Sequence, residues 1–243
     1  LQEGIKAELI DAGQRLISID SNNSLYYNIS GIIYLHSARL DDAERILKAG
    51  ITICSNNGYL LANLAKVYDA QGLPEKCSQT LWEALKLDPN QNNAVTWIGA
   101  ISREHGGREE YLQVMHKIAE IPTSWRAQLW IARDYLENDD ANKALEIYQT
   151  ILPKVVNEPD AMMMVSGDLG RNGRDKEVLS ICYPIFDLTK QDFRTGLNII
   201  AACINTRNKK VGMRILNQIR AQHQYNLTTR LDNLENTLNQ IND

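Results

Sequence analysis

An all-α solenoid of stacked helix hairpins is the fold class this 243-residue chain predicts, and three observations predict it. A set of six uncharged positions recurs along the chain at steps of 33 or 34 residues. Within each recurrence the positions fall at helical spacing, in two groups. Polar or Gly/Pro segments separate the two groups, as turns between helices do.

The recurrences follow in chain order. Ser30, Gly31, Tyr34, Ala43, Leu47 and Gly50 form the first set, and Leu64, Ala65, Tyr68, Cys77, Leu81 and Ala84 the second. Ile98, Gly99, Ser102, Tyr111, Met115 and Ile118 are the third, a further 34 residues on. One step of 33 leads to Ile131, Ala132, Tyr135, Ala144, Tyr148 and Ile151. Steps of 34 then resume with Val165, Ser166, Leu169, Val178, Cys182 and Ile185, and with Ile199, Ile200, Cys203, Gly212, Leu216 and Ile219. With 23% of the chain charged, about eight of these positions would carry a charge by chance, and none does.

Positions i, i+1 and i+4 in the first half of a unit make one helical stripe, and i, i+4 and i+7 in the second half make another. The turns between them are Ala38-Arg39-Leu40-Asp41, Gly72-Leu73-Pro74, His105-Gly106-Gly107, Glu137-Asn138-Asp139-Asp140, Asn172-Gly173-Arg174 and Thr206-Arg207-Asn208. Pro74 suits the first turn of a helix, where its missing N–H is not needed. One hairpin is too small to bury its own stripes, so neighbours must stack to make a continuous core. Gly167 and Gly170 weaken the first helix of the fifth unit, each by about 1 kcal/mol relative to Ala, so the fifth unit is the expected soft point.

A single solenoid domain over 1–243 is expected, with residues 1–23 as the second helix of a truncated repeat, 24–224 as about six repeats and 225–243 as a capping helix. In that last segment Leu227, Leu231, Leu234, Leu238 and Ile241 form one apolar stripe backed by polar residues. Such a stripe suits a terminal cap, two heptads being short for a coiled-coil seam. The chain opens at Leu1 in mid-helix, so it is expected to be a fragment of a longer protein.

On these residues the chain resembles the tetratricopeptide repeat (TPR) family, whose unit also has 34 residues. The second unit matches best, through Leu61, Leu64, Ala65, Tyr68, Cys77, Leu81, Ala84 and Pro89. Gly31, Tyr34 and Ala43, and Ala132, Tyr135 and Ala144, carry it in the first and fourth units. The last two units depart, with Ile200 where a small residue is usual and Gly212 early in the second helix. The resemblance implies a right-handed superhelix in which the second, sixth and ninth positions of each first helix line a concave groove. On that mapping Asn63, Lys66, Trp97, Arg126, Trp130, Arg133 and Met164 are the candidate partner-binding residues. Trp97, Trp130 and Met164 would form the floor, and Lys66, Arg126 and Arg133 the rim. Trp97 and Trp130 could equally complete the core between adjacent helices, and the two readings stay open. The family's carboxylate clamp is not reproduced: its slots hold Asn28, Ile32, Asn63, Asn93 and Trp97, or Ala62, Lys66, Trp97, Arg126 and Trp130.

Composition narrows the function. A net charge of −4 argues against a general nucleic-acid binder, and no apolar run reaches the ~18–20 residues that cross a bilayer. Cys54, Cys77, Cys182 and Cys203 show no C-x-x-C spacing and are read as reduced, with a cytoplasmic setting favoured and a periplasmic one as alternative. His36, His105, His116 and His223 have no catalytic companions, and Gly167-Asp168-Leu169-Gly170 lacks the features of a phosphate loop. The basic cluster Arg207, Lys209 and Lys210 reads as a solvated turn, and the sequons at Asn22, Asn28 and Asn226 do not establish secretion. No metal or cofactor is expected. The expectation is a non-enzymatic scaffold, monomeric or weakly dimeric, that holds a peptide or helix of a protein partner in its groove. A helical spacer of a larger enzyme or export machine is the alternative, and an RNA-binding helical repeat is disfavoured by the 34-residue step and acidic balance.

Overall fold

The computed structural model describes residues 2–55, 57–222 and 228–241, with side chains from residue 7 onward. Of the positions invoked above, Leu1, His223, Gln224, Asn226, Leu227 and Asp243 lie outside the described residues. Every regular element among the described residues is helical.

Backbone contacts divide the chain into two compact units, Leu1–Ala127 and Gln128–Asp243. The first holds α1 (Gln2–Ile19), α2 (Ser24–His36), α3 (Leu40–Cys54), α4 (Gly58–Ala70), α5 (Pro74–Leu87) and α6 (Asn92–Ala119). A break in α6 at Gly106 and Gly107 (φ 65°) makes two arms of it, where a turn is expected. α7 (Arg126–Glu137) starts with the last two residues of the first unit. It continues into the second, with α8 (Ala141–Val155), α9 (Pro159–Arg171), α10 (Asp175–Glu177), α11 (Phe193–Asn205), α12 (Lys209–Gln222) and α13 (Thr228–Asn239). In the first unit, and from α8 onward in the second, successive helices pack as neighbours, and α2 also packs on α4 and α9 on α11, first helix against first helix.

The recurring positions make the core. All of them are buried except Tyr135 and Ile185, which are half-buried. The small ones are small because a neighbour occupies the space. A Cβ on Gly31 would stand 2.5 Å from Leu47, on Gly50 2.6 Å from Tyr27, and on Gly99 2.7 Å from Met115. Leu47, Leu81 and Leu216 sit at most 1% exposed in the stripes of the second helices. Burial of a side chain of this size contributes roughly 1.5–3 kcal/mol.

Local chemistry repeats with the same step. Asn23, Asn57, Gln91 and Asp192 precede first helices, and each side chain accepts a backbone N–H of the first turn. At the hairpin turns Ala38, Gly72, Asp139, Gly173 and Arg207 all take left-handed φ, between 58° and 70°. The next residue in each turn then donates its N–H back across five residues. Arg39 reaches Tyr34 O (3.0 Å), Leu73 reaches Tyr68 O (2.8 Å) and Asp140 reaches Tyr135 O (2.9 Å). Arg174 reaches Leu169 O (2.9 Å) and Asn208 reaches Cys203 O (2.7 Å). This six-to-one bond is the Schellman closure, which satisfies a carbonyl that the helix end would leave orphaned.

The fifth unit departs from the pattern in its second helix. α9, which contains Gly167 and Gly170, is continuous. Its partner is the irregular one: α10 passes into a π-helical turn at Val178–Cys182 and a 3-10 turn at Tyr183–Ile185. Tyr183 N–H bonds Val178 O, one residue further back than in an α-helix. Pro184 follows at once, and a proline both lacks the N–H that would continue the ladder and crowds the carbonyl four residues before it.

At the end of the second unit Leu231 and Leu238 of α13 are buried, with Leu238 filling the space above Gly212 of α12. Arg220 of α12 pairs with Asp232 (2.7 Å) and Glu235 (3.0 Å) of α13. Burial pushes the thiols of Cys77 and Cys203 up to about 11 and that of Cys182 up to about 12, so they stay protonated at neutral pH. No described helix is long and apolar enough to cross a membrane.

Candidate partner-binding site

The helical period puts positions two, six and nine of a first helix on one stripe. In the first unit this stripe carries Leu25, Ile29 and Ile32 on α2, Tyr59, Asn63 and Lys66 on α4, and Asn93, Trp97 and Ala100 on α6. Leu25 and Tyr59 are 55% and 57% exposed. Trp97 is half-buried, and Lys66 Nζ lies 5.7 Å from its ring centroid, a cation–π distance. Desolvation lowers the Lys66 pKa, because its ammonium sits against apolar surface. Asn63 is buried, its Nδ2 donating to Asn28 Oδ1 at 2.5 Å, so it ties α4 to α2.

Arg126 is also buried, at 6% exposure. Its Nε donates to Asn90 O (2.5 Å), its Nη1 to Asn92 Oδ1 (3.2 Å), and the guanidinium stacks 4.5 Å over the ring of Trp125. Asn90 Oδ1 in turn accepts from the backbone N–H groups of Trp125 (2.8 Å) and Arg126 (3.0 Å). Arg126 thus closes the loop into the next helix.

In the second unit Trp130 is half-buried, with Arg133 stacked 4.1 Å over its ring. Arg133 Nε also bonds Asp168 Oδ1 at 2.9 Å. Asp168 is fully buried, and it accepts further bonds from the Arg171 guanidinium and from Tyr148 O–H. Burial pushes the Asp168 carboxyl above the usual range while the two guanidiniums pull it back. Burial raises the Tyr148 hydroxyl further, and it stays protonated as a donor. Met164 is buried at 8% exposure, and Asn198 Nδ2 on α11 donates to Ser166 Oγ on α9 at 3.0 Å.

Lys66 and Trp97 therefore meet in the first unit, and Trp130 and Arg133 in the second. Asn63, Arg126 and Met164 are largely turned inward. Sequence reading missed Asp168, which looks like a turn residue beside three glycines. The available signal was the register: Asp134 and Asp168 occupy a position that is Ile33, Val67 and Ile101 in earlier units. A separate cleft of about 600 Å³ lies on the other side of the first unit, between α5 and both arms of α6. Trp82 lines it, with Lys117 Nζ 4.5 Å over the ring. Among the described residues no group of three His, Cys, Asp or Glu stands close enough to hold a metal ion.

Buried repeat positions, paired helices and closed turns at a 33–34-residue step define an all-α fold of repeated helix hairpins. No protein-family model matches the chain. The BBSome complex member BBS4 of Bos taurus is 28% identical over 109 residues, which is 43% of this chain and 21% of that protein. The matched region thus spans about a fifth of that relative's length. Among solved structures, a tetratricopeptide repeat protein from Parabacteroides merdae superposes with a TM-score of 0.46 at 14% identity, over 98% of this chain and 93% of that one. PilW, a type IV pilus biogenesis factor, superposes with a TM-score of 0.47 at 14% identity, over 86% and 98%.

Proposed function

We propose that the chain is a non-catalytic protein-interaction scaffold that holds apolar or amphipathic segments of partner proteins on the exposed stripes of its first helices. One observation carries the reading: Trp97 and Trp130 on these stripes are each left half-buried with a cation over the ring, beside exposed Leu25 and Tyr59. Leu25, Tyr59, Trp97 and Lys66 supply this surface in the first unit, and Trp130 with Arg133 in the second. Aromatic and Arg side chains of this kind are the usual anchors of protein interfaces, and apolar residues at helical spacing on a partner would fit between them. Asn63, Arg126 and Met164 support the surface from beneath, by joining helices and closing loops.

The test compares partner capture by the wild-type chain with Trp97→Ala and Trp130→Ala, read by quantitative mass spectrometry after a circular-dichroism check of folding. Trp82→Ala, on the other side, is the control. Partners lost in the first two variants and retained in the control support the proposal. Capture unchanged in folded Trp97→Ala and Trp130→Ala sinks it.

A further inference from the structure

Two clefts lie at the same place in the repeat, one in each compact unit. Tyr183 follows Trp82 by three repeat steps, 101 residues, and each ring stands in the second half of its repeat. Across the first cleft the next repeat presents Gln113, Val114 and Lys117. Across the other it presents Arg214, Ile215 and Gln218, again 101 residues later. The pocket at Tyr183 measures about 250 Å³. Its wall follows from the irregular turn: Pro184 cannot continue a helix, and Phe186 turns to extended backbone (φ −71°, ψ 123°). Both residues join Tyr183 in lining the pocket.

The two clefts differ in charge. Glu109 and Glu110 line the first beside Lys117. The second has no carboxylate on its wall. Residues 178–186 and α12 together hold four cations, Lys209, Lys210, Arg214 and Arg220, and no Asp or Glu. Arg220 is taken by Asp232 and Glu235, and Lys209 Nζ lies 3.5 Å from the carbonyl of Ile241. The flanking acids are engaged: Glu177 pairs with Arg174 (3.5 Å), Asp187 with Lys190 (3.7 Å), and Asp175 accepts from Asn205 Nδ2 (3.0 Å). On the first helices, Asp192 and Asp160 both act on Arg194, and Asp168 pairs with Arg133 and Arg171. Arg214 is exposed and reaches Tyr183 Oη at 3.5 Å. Among the described residues it has no carboxylate within ion-pair distance. Over residues 159–243, eleven Lys and Arg stand against nine Asp and Glu, in a chain whose net charge is −4.

We propose that the pocket of Tyr183, Phe186 and Arg214 is a second docking site, for an acidic segment of a partner protein. The pocket takes one large apolar side chain of that segment, and Arg214 pairs with a neighbouring Asp or Glu. The site is built from the second halves of the last two repeats, apart from the first-helix stripes, and does not depend on the reading given for them. Tyr183, Phe186 and Ile215 supply the apolar wall, and the planar guanidinium of Arg214 matches a carboxylate with two parallel N–H bonds. A nucleic acid would meet the same cation, but the negative balance of the whole chain repels a long polyanion. A segment with one or two carboxylates avoids most of that repulsion. The Trp82 cleft, with Glu109 and Glu110 on its wall, turns the same segment away.

A phage-displayed library of random linear 16-residue peptides, selected on the full chain, supplies the probe. Enriched clones are rescreened on Arg214→Glu and on Trp82→Ala, both checked for folding by circular dichroism. A group lost on Arg214→Glu and kept on Trp82→Ala is expected, with an aromatic or large aliphatic residue close to Asp or Glu. Fluorescence anisotropy then follows a synthetic peptide of this group. Arg214→Gln is expected to weaken its binding about tenfold, and replacing the peptide's acid by the amide to do the same, because a hydrogen bond to a charged acceptor is lost. Arg214→Lys is expected to recover part of that loss, and Phe186→Ala to weaken binding through the apolar wall. Absence of any clone lost on Arg214→Glu overturns the site. So does loss of the same clones on Trp97→Ala or Trp130→Ala, which would put them on the first-helix stripes. Full displacement of the peptide by an equal concentration of a single-stranded 20-mer DNA overturns it too, in favour of a general polyanion surface. Failure of the first-helix reading in its own test leaves this site standing.

Discussion

The left-handed residues of the hairpin turns allow a stability prediction that needs no contact energy. Ala38 adopts φ 58° and Gly72 φ 70° at equivalent places in successive repeats. Left-handed backbone costs a residue with a Cβ about 1–2 kcal/mol. Glycine avoids that cost but has ~0.5–1 kcal/mol more chain entropy to lose on folding. Ala38→Gly is therefore expected to stabilise the first unit by about 0.5–1 kcal/mol, the difference between the two. Gly72→Ala is expected to destabilise it by about as much. No atom lies within 4 Å of a Cβ built on Gly72, so sterics with neighbours contribute nothing and the change isolates the backbone. A shift of this size moves the thermal midpoint of a unit this large by roughly 2–5 °C. Urea unfolding followed by far-ultraviolet circular dichroism reads the stability change, with the slope checked for constancy. Hydrogen exchange at the Arg39 and Leu73 amides, donors of the closing bonds, localises it. A neutral or stabilising Gly72→Ala, or a destabilising Ala38→Gly, would refute the argument from backbone conformation.

Two further predictions test the core and an ion-paired carboxylate. Gly31→Ala places a Cβ 2.5 Å from Leu47, so overpacking of ~1–3 kcal/mol outweighs a helix-propensity gain of ~1 kcal/mol. A urea-denaturation double-mutant cycle with Leu47→Ala should recover much of the loss, and simple additivity would show that the two do not compete for space. Glu44 on α3 accepts bonds from Lys48 (2.6 Å) and from Gln71 at the end of α4 (3.0 Å), and these hold its carboxyl below the usual range. With the folded pKa depressed, its contribution is complete above the unfolded value of 4.5 and is lost as pH falls through the folded value. The stability gap between wild type and Glu44→Gln should narrow on acidification over that window, and a gap constant from pH 7 to pH 3 would contradict this.

Much of the architecture was readable without coordinates because it depends on short-range rules. The stripe from Ser30 to Gly50 is buried as expected, since helical spacing alone decides which residues share a face. Pro74 starts α5, and Gly72 and Gly173 sit at turns, because φ preferences are properties of single residues. The fifth unit is the irregular one, but glycine propensity in α9 does not account for it; Pro184 disrupts the partner of α9. A propensity cost of about 1 kcal/mol is easily covered by packing, and a missing backbone donor is not.

The candidate site was less legible. Helical register placed Lys66 beside Trp97 and Arg133 beside Trp130 on the exposed stripes. It said nothing of which side chains fold back onto their own protein. Asn63 binds Asn28 across two helices, and Arg126 binds the loop carbonyl of Asn90, residues 35 and 36 positions away.

The amino-acid order by itself determined the helices, their hairpins and the 33–34-residue step, because capping, turn conformation and amphipathic period all act within a few residues. Only the tertiary structure decided that Asp168 is buried between Arg133 and Arg171, and that Gly167 opens toward Asn198 of another helix. Those outcomes depend on the distance between side chains brought together from separate repeats, which no local pattern encodes.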